Sequence, residues 1–314
     1  MSTKITVIGA GNVGATCANI LAVRNVAAEV VLLDIKEGVS EGKSMDIMQS
    51  VTMLGINSHV KGVTDDYAAT ADSEVVIVTS GIPRKPGMTR EELIGDNAVI
   101  VKSVVEKTLQ YSPATIFIIV SNPMDSMCYL TAMISGLPRT HIIGLGGALD
   151  SARFKYYLSE VMHVNPNDIE AIVIGGHSDA TMVPLVSLAT CKGIPVTRML
   201  PEEKLEKIVA ATKVGGATLT GLLGTSAWYA PGAAAAIIAE SIVKDRKRMI
   251  PCGVFVQGEY GQNDLAIGVP VVVGKEGWEQ IVELPLSEDE NHAFIASANA
   301  TRKVNQILID SGML

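Results

Sequence analysis

Over roughly its first 145 residues the chain alternates short apolar runs with longer mixed stretches. Ile5, Thr6, Val7 and Ile8 are β-branched and flanked by almost nothing charged. That composition suits a buried central strand of a parallel sheet. Asn12 to Asn25 then reads as a helix, with Val13, Cys17, Ile20, Leu21 and Arg24 at helical steps. The same reading predicts strands near 4–9, 29–34, 60–63, 74–79, 115–120 and 140–143, and helices near 12–25, 39–54, 91–110 and 124–135. Apolar strands alternating with helices imply an α/β fold, a doubly wound parallel sheet with helices on both faces.

The pattern changes after the Gly-rich stretch Gly144 to Ala148. A helix opens at Leu149-Asp150-Ser151-Ala152-Arg153 and runs to about His163. An apolar strand, Ala171 to Ile174, follows, then an amphipathic helix over 202–222. An Ala-rich helix runs to about Asp245, strands lie near 249–256 and 267–273, and a last helix starts at about Ser287. Two domains are expected, 1–146 and 147–314, the second of α+β type.

The turn after the first strand carries the first chemical signal. Gly9, Gly11 and Gly14 stand at G-x-G-x-x-G spacing between a strand and a helix. In a Rossmann unit the first glycine allows a tight turn, the second lets backbone approach a pyrophosphate, and the third lets helix and strand pack closely. The helix N-terminus, here Asn12 and Val13, offers free N–H groups to phosphate. A second apolar strand, Glu29 to Leu33, ends in Asp34, twenty residues after Gly14. A carboxylate there can accept both hydroxyls of an adenosine ribose and would repel a 2′-phosphate, which favours NAD over NADP. Asp34 can also simply terminate a strand, and Lys36 nearby leaves the cofactor choice open.

Ligands of such sheets sit beyond the carboxyl ends of the strands, so chemistry is expected at the strand ends. The fourth strand runs into T-S-G-I-P-R-K-P-G-M-T-R, Thr79 to Arg90, with three cations and no acid. Long loops at such an edge are often lids, which makes Arg84 and Arg90 candidates to bring positive charge to an anion; a solvated basic loop is the plainer alternative. Asn97 lies on the helix beyond and can face a cofactor or the core. The fifth strand ends at Val120 and S-N-P-M-D, where Asn122 before Pro123 is held extended or in a cis turn. Asp150 and Arg153, at i and i+3, share a helix face and form at least a local ion pair. Gly175-Gly176-His177-Ser178-Asp179 breaks an apolar strand and gives His177 room to meet a ligand. Imidazole is the side chain best matched to proton transfer near neutral pH, although a lone His is usually structural. Thr225 and Ser226 can line a pocket or cap a helix.

Composition narrows the class. The 314 residues carry a net charge of −8, which gives nucleic-acid binding no electrostatic support. An acidic protein with an anionic ligand must concentrate positive charge locally, and the basic loop does so. The four cysteines, Cys17, Cys128, Cys191 and Cys252, are widely spaced and read as small apolar residues of a reducing compartment, not as a disulfide or metal framework. The start, M-S-T-K, runs straight into the first strand, so a cytoplasmic protein without a signal peptide is expected. The most apolar run, Ala227 to Ala239, contains Pro231 and Gly232 and is too short to span a bilayer.

Taken together, G-A-G-N-V-G, R-K-P-G-M-T-R, S-N-P-M-D, L-D-S-A-R and G-G-H-S-D resemble, in order and spacing, the lactate/malate dehydrogenase family. The resemblance spans essentially the whole chain and is strongest to the bacterial, lactate-dehydrogenase-like malate dehydrogenases. It implies an NAD-dependent enzyme that reversibly oxidises (S)-malate to oxaloacetate, a step of the tricarboxylic acid cycle. It implies a small dicarboxylate as substrate, no metal, and a homodimer or homotetramer. By resemblance, His177 is the proton acceptor and Asp150 orients it. Arg153 grips the carboxylate beside the reacting carbon, Arg90 polarises the carbonyl, and Asn122 contacts substrate. Gly9, Gly11, Asn12, Val13, Gly14, Asp34, Asn97, Val120 and Asn122 hold NAD.

Arg84 carries the specificity expectation. Lactate dehydrogenases of the family usually place Gln at the matching position. Pairing Arg84 with the second carboxylate of oxaloacetate is favourable, whereas closing over pyruvate would strand a cation at a cost of ~3–5 kcal/mol. Ser178 departs from the family, which usually has Gly after the catalytic His; its hydroxyl is expected to narrow the pocket or shift the histidine's pKa. The competing readings are a lactate or other 2-hydroxyacid dehydrogenase, and a non-catalytic NAD-binding regulator.

Overall fold

The computed structural model of the chain describes residues 3–83 and 90–314, with the side chains of residues 90 and 91 excepted. The first half runs β1 (Lys4–Ile8), α1 (Asn12–Val23), β2 (Glu29–Asp34), α2 (Val39–Met53), β3 (Val60–Thr64), β4 (Val75–Val78), α3 (Arg90–Leu109), β5 (Ile116–Ile119), α4 (Met124–Ile134), β6 (Ile142–Gly144) and α5 (Gly146–Met162). The strands pair in parallel in the order β3-β2-β1-β4-β5-β6. Successive residues of a strand face opposite sides, and here both sides are apolar. Val30 and Leu32 of β2 join one core layer with α1 and the later helix Tyr229–Val243, while Val31 and Leu33 join another with α3 and α4. Ile116 and Ile118 of β5 divide from Phe117 and Ile119 in the same way. This two-sided burial is why the strands read as continuous hydrophobic runs.

The second half supplies β7 (Ile169–Glu170), β8 (Val173–Gly175), β9 (Met182–Pro184), β10 (Thr190–Cys191), β11 (Ile194–Pro195), α6 (Val196–Met199), α7 (Glu202–Leu223), α8 (Tyr229–Val243), β12 (Arg248–Gln257), β13 (Asn263–Gly274), β14 (Gly277–Ile281) and α9 (Glu288–Asp310). The strands β12, β13, β8 and β9 continue the same sheet beyond β6 in antiparallel sense. The join is a single residue pair, Gly144 with Gly253. A small sheet, β11-β10-β7, lies apart.

Several boundaries differ from the sequence reading. Helix α5 begins at Gly146, not near Leu149, so Asp150 sits one turn inside the helix and does not cap it. The glycines at the expected domain boundary are helical because the helix passes close to β12: a Cβ on Gly147 would stand 2.7 Å from Pro251 Cβ. The strand expected over 171–174 is split, with Ile169–Glu170 in the small sheet and Val173–Gly175 in the large one. Ser287 does cap α9, in a reciprocal box with Glu290.

Helices α1 and α8 pack closely; a Cβ on Gly232 would lie 2.8 Å from Thr16 Cβ. Glu240, with only 3% of its side chain exposed, fastens this pair. Its Oε2 accepts from Arg24 Nε and Nη2 at 2.9 and 2.7 Å, and its Oε1 from Lys244 and Arg246 at 3.2 and 2.8 Å. Burial alone would raise this carboxyl, but the Arg24 and Lys244 hydrogen bonds hold it below the usual range. Its contribution is therefore present above the ordinary carboxylate range and is lost as pH falls through the lowered value. Glu240→Gln is expected to cost about 2–3 kcal/mol in urea denaturation at neutral pH, and the gap to the parent should narrow in acid.

Candidate active site

The ends of β1, β2, β4 and β5 form one edge, and the sequence-predicted groups gather there. Gly9 has φ +104°, a conformation that L side chains rarely adopt. A Cβ on Gly14 would overlap the Gly9 carbonyl, so Gly14 is required by the fold itself. Gly11 differs, because a Cβ there would meet nothing within 4 Å. Packing within the chain does not explain it, whereas an approaching ligand would. Gly11 is also the N-cap of α1, without a side-chain cap and with no acid in the first turn. The N–H groups around Asn12 and Val13 are thus left for an anion.

Asp34 ends β2 beside this turn. Its Oδ2 accepts from Ala10 N at 2.6 Å and its Oδ1 from Lys36 N at 3.0 Å. Lys43 of α2, which the sequence reading passed over, donates to the Ala10 carbonyl at 2.6 Å. The Ala10 peptide is therefore held at both ends. A glycine turn with free N–H groups next to a fixed carboxylate fits a pyrophosphate and an adjacent ribose diol.

Asn97 is buried and its amide is engaged. Its Oδ1 accepts from Ile82 N at 2.8 Å, and its Nδ2 donates to Asn122 O at 2.7 Å and Ile82 O at 3.2 Å. It ties the start of the basic loop to the end of β5. Val120 is half-buried, its N–H bonded to Val78 O at 2.9 Å. The Asn122–Pro123 peptide is cis and the Asn122 side chain is exposed. Arg84 and the side chain of Arg90 lie outside the described residues; the Arg90 backbone opens α3.

The second cluster is centred on Asp150, whose side chain is 2% exposed. One oxygen bonds His177 Nδ1 at 2.7 Å and the other accepts from Arg153 Nη1 at 2.9 Å. A carboxylate only accepts, so Nδ1 carries the proton and Nε2 presents a lone pair when the ring is neutral. Burial would lower the imidazole's pKa, and Arg153 opposes protonation, but the Asp150 charge and hydrogen bond, with the charge of Asp125, leave it raised. The buried Nε–H of Arg153 has no acceptor among the described residues. Gly215 and Gly216 of α7 face this guanidinium, with a Cβ at either no closer than 3.4 Å to it. A buried guanidinium donor without an acceptor among the described residues suits a carboxylate ligand.

Two expectations change here. The glycines before His177 make room for protein, not ligand: a Cβ on Gly176 would stand 2.7 and 2.8 Å from the hydroxyls of Thr181 and Thr301. The Ser178 hydroxyl pairs with Thr181 Oγ1 at 2.6 Å, which engages it within its own turn. Thr225 and Ser226 are exposed, and neither caps α8, whose N-cap is Trp228. Asp125 was present in S-N-P-M-D without an assigned role; its Oδ2 accepts from the His177 backbone N–H at 2.6 Å.

Comparison with known proteins follows this geometry. Residues 3–144 match the model for the NAD binding domain of lactate/malate dehydrogenases, and residues 147–307 match the model for the α/β C-terminal domain of the same family. The malate dehydrogenase of Bacteroides thetaiotaomicron is 62% identical over 312 residues, covering 99% of this chain and all of that one. The apo malate dehydrogenase of Picrophilus torridus superposes with a TM-score of 0.95 at 42% identity, covering 99% of this chain and 98% of that one. A lactate dehydrogenase of Cryptosporidium parvum, solved with lactic acid and nicotinamide adenine dinucleotide, superposes with a TM-score of 0.94 at 38% identity and 98% coverage of both chains.

The two glycines separate fold from ligand. Gly11→Val is expected to change stability by less than about 1 kcal/mol while weakening NAD binding at least about tenfold. Gly14→Ala should cost about 3 kcal/mol or more in unfolding. Denaturation and NAD titration of the two variants check this.

Proposed function

The chain belongs to the lactate/malate dehydrogenase family, and on that premise we propose that it is an NAD-dependent malate dehydrogenase, oxidising (S)-malate to oxaloacetate and reversing that reaction. The carrying observation is the single carboxylate of Asp150 bonded to both His177 and Arg153. It sets a proton acceptor beside a cation that can hold a carboxylate. The residue roles are as follows in this reading. The malate hydroxyl donates its proton to His177 Nε2, and Asp150 stabilises the imidazolium that forms. Arg153 receives the carboxylate next to C2 through its remaining N–H groups, which fixes that carbon in place. NAD, when bound, supplies the acceptor for the hydride from C2. Gly9, Gly11 and Gly14 with the first turn of α1 take the pyrophosphate, and Asp34 takes the ribose.

Asn97, Val120 and Asn122 are further cofactor contacts in this reading, and Asn122 also offers its exposed amide to substrate. Arg90 polarises the carbonyl in reduction, and Arg84 selects the second carboxylate of oxaloacetate. Relatives at 60–62% identity named malate dehydrogenase favour this preference over lactate. The units are read as 1–146 for cofactor and 147–314 for substrate, consistent with the two family matches.

Assembly as a homodimer or homotetramer belongs to the same reading, supported by exposed apolar side chains on α2 (Met45, Met53) and its C-cap (Leu54) and on α7 (Val214, Leu222, Leu223). No helix among the described residues is long and apolar enough to cross a membrane. The four buried free cysteines suit the reducing cytoplasm, where the reaction serves the tricarboxylic acid cycle.

The decisive experiment is steady-state oxidation of NADH with oxaloacetate against pyruvate, repeated with NADPH. Strong preference for oxaloacetate and NADH is expected, and preference for pyruvate would return the lactate reading. His177→Ala should lower turnover about 10²–10⁴-fold, and retained turnover would remove His177 from the mechanism. Arg84→Gln should raise the pyruvate-to-oxaloacetate ratio of kcat/KM by at least about tenfold.

A further inference from the structure

We infer that Lys43 is a cofactor-binding residue, the cation that meets the diphosphate of the dinucleotide at the glycine turn. The inference rests on the reading of that turn as the cofactor site.

Packing, not sequence proximity, brings Lys43 there. It belongs to α2, and α2 is fixed at its start against β3. A Cβ on Gly62 of β3 would overlap the Ser40 carbonyl, so the first turn of the helix presses directly on the strand. Ser40 Oγ donates to Val63 O at 2.8 Å, and Thr64 Oγ1 donates to the two oxygens of Glu41 at 2.8 and 3.0 Å. A helix pinned at these points holds the next turn over the end of β1. Lys43 Nζ donates there to the carbonyl of Ala10, between Gly9 and Gly11, at 2.6 Å.

The charge of this ammonium is not neutralised inside the chain. One of its three N–H groups meets a neutral carbonyl. Lys43 is half-buried and forms no ion pair with a carboxylate of the described residues. The acids around it are engaged elsewhere. Glu41 takes the hydroxyls of Thr64 and Ser40, and Asp34 takes the N–H groups of Ala10 and Lys36. A partly desolvated cation without a counter-ion is unfavourable, and an anionic ligand relieves it.

The turn has need of that charge. The N-terminus of α1 supplies only a partial positive charge, and its first residues, Asn12 to Ala15, include no cation. A protein of net charge −8 must place a full positive charge close to a diphosphate to draw it in. Lys36 stands exposed beside Asp34, so among the described residues Lys43 is the cation that packing holds against the turn. The Ala10 carbonyl also shares a peptide plane with the Gly11 N–H. The ammonium therefore polarises that donor toward an anion as well.

Lys43→Gln removes the charge and keeps a donor for the Ala10 carbonyl, whereas Lys43→Arg keeps the charge. NADH binding is titrated by fluorescence at low ionic strength and again at about 1 M salt, where the screening length is about 3 Å. At low salt the dissociation constant is expected to rise about tenfold in Lys43→Gln and to stay within about threefold of the parent in Lys43→Arg. At high salt the tenfold gap should close to about threefold or less. A residue that only braces the turn would give a gap that salt leaves unchanged.

Equal binding by Lys43→Gln and the parent at low salt overturns the inference, and so does a loss that persists undiminished at high salt. If Lys43→Gln does not fold, Lys43→Met is read by the same standard. A parent that binds no NADH would sink the cofactor reading, and this inference with it. A parent that binds NADH yet reduces no oxaloacetate would sink the malate reading alone.

Discussion

The carboxylate of Asp150 is the interaction on which the rest of the site depends. A buried acid is costly unless its lone pairs are used, and here one oxygen meets an imidazole and the other a guanidinium. That arrangement fixes the ring's tautomer and orients Arg153. It works because Asp150 is carried inside a helix instead of at its end, so its Cα does not fray. The glycines at the start of α5 let that helix press against β12 and the His177 turn.

The sheet explains why groups distant in sequence meet. Parallel strands bring every carboxyl end to one edge, which gathers the Gly9 turn, Asp34 and Asn122. The antiparallel continuation through β12, β13 and β8 then returns His177 to the same neighbourhood. Asn97 and Met124 are brackets in this arrangement, one tying the basic loop's first residues to β5, the other bringing α4 against the histidine.

Much of this was legible in the chain. The parallel strands announced themselves because both faces are buried, which leaves no polar alternation to confuse the reading. His177 was findable because an apolar strand broken by Gly-Gly and ending in histidine is unusual. The strand ends of the second half were less legible. The pairs that form β7, β10 and β11 are two residues each, and pairing over so short a length is decided by tertiary contact, not by local preference. The glycines of α5 and of the His177 turn misled for a related reason. Sequence shows that a glycine lacks a side chain, and only the packed chain shows whether protein or ligand takes the space. Asp125 was overlooked because its partner is a backbone N–H, which no residue type advertises. A carboxylate one residue past a buried methionine at a strand end was the available signal.

The join at Gly144 and Gly253 bears on how the chain is made. Strand β6 ends the parallel half, and the strand that covers its free side emerges about 110 residues later. At translation rates of about 5–20 residues per second, the nascent first half carries an open edge for roughly 5–20 s. Open edges of apolar sheet recruit other strands. β6 is three residues long, which offers such a strand little to grip. The shortness of that strand is a safeguard for the growing chain, and lengthening it would trade a firmer join in the finished protein for a stickier intermediate on the ribosome.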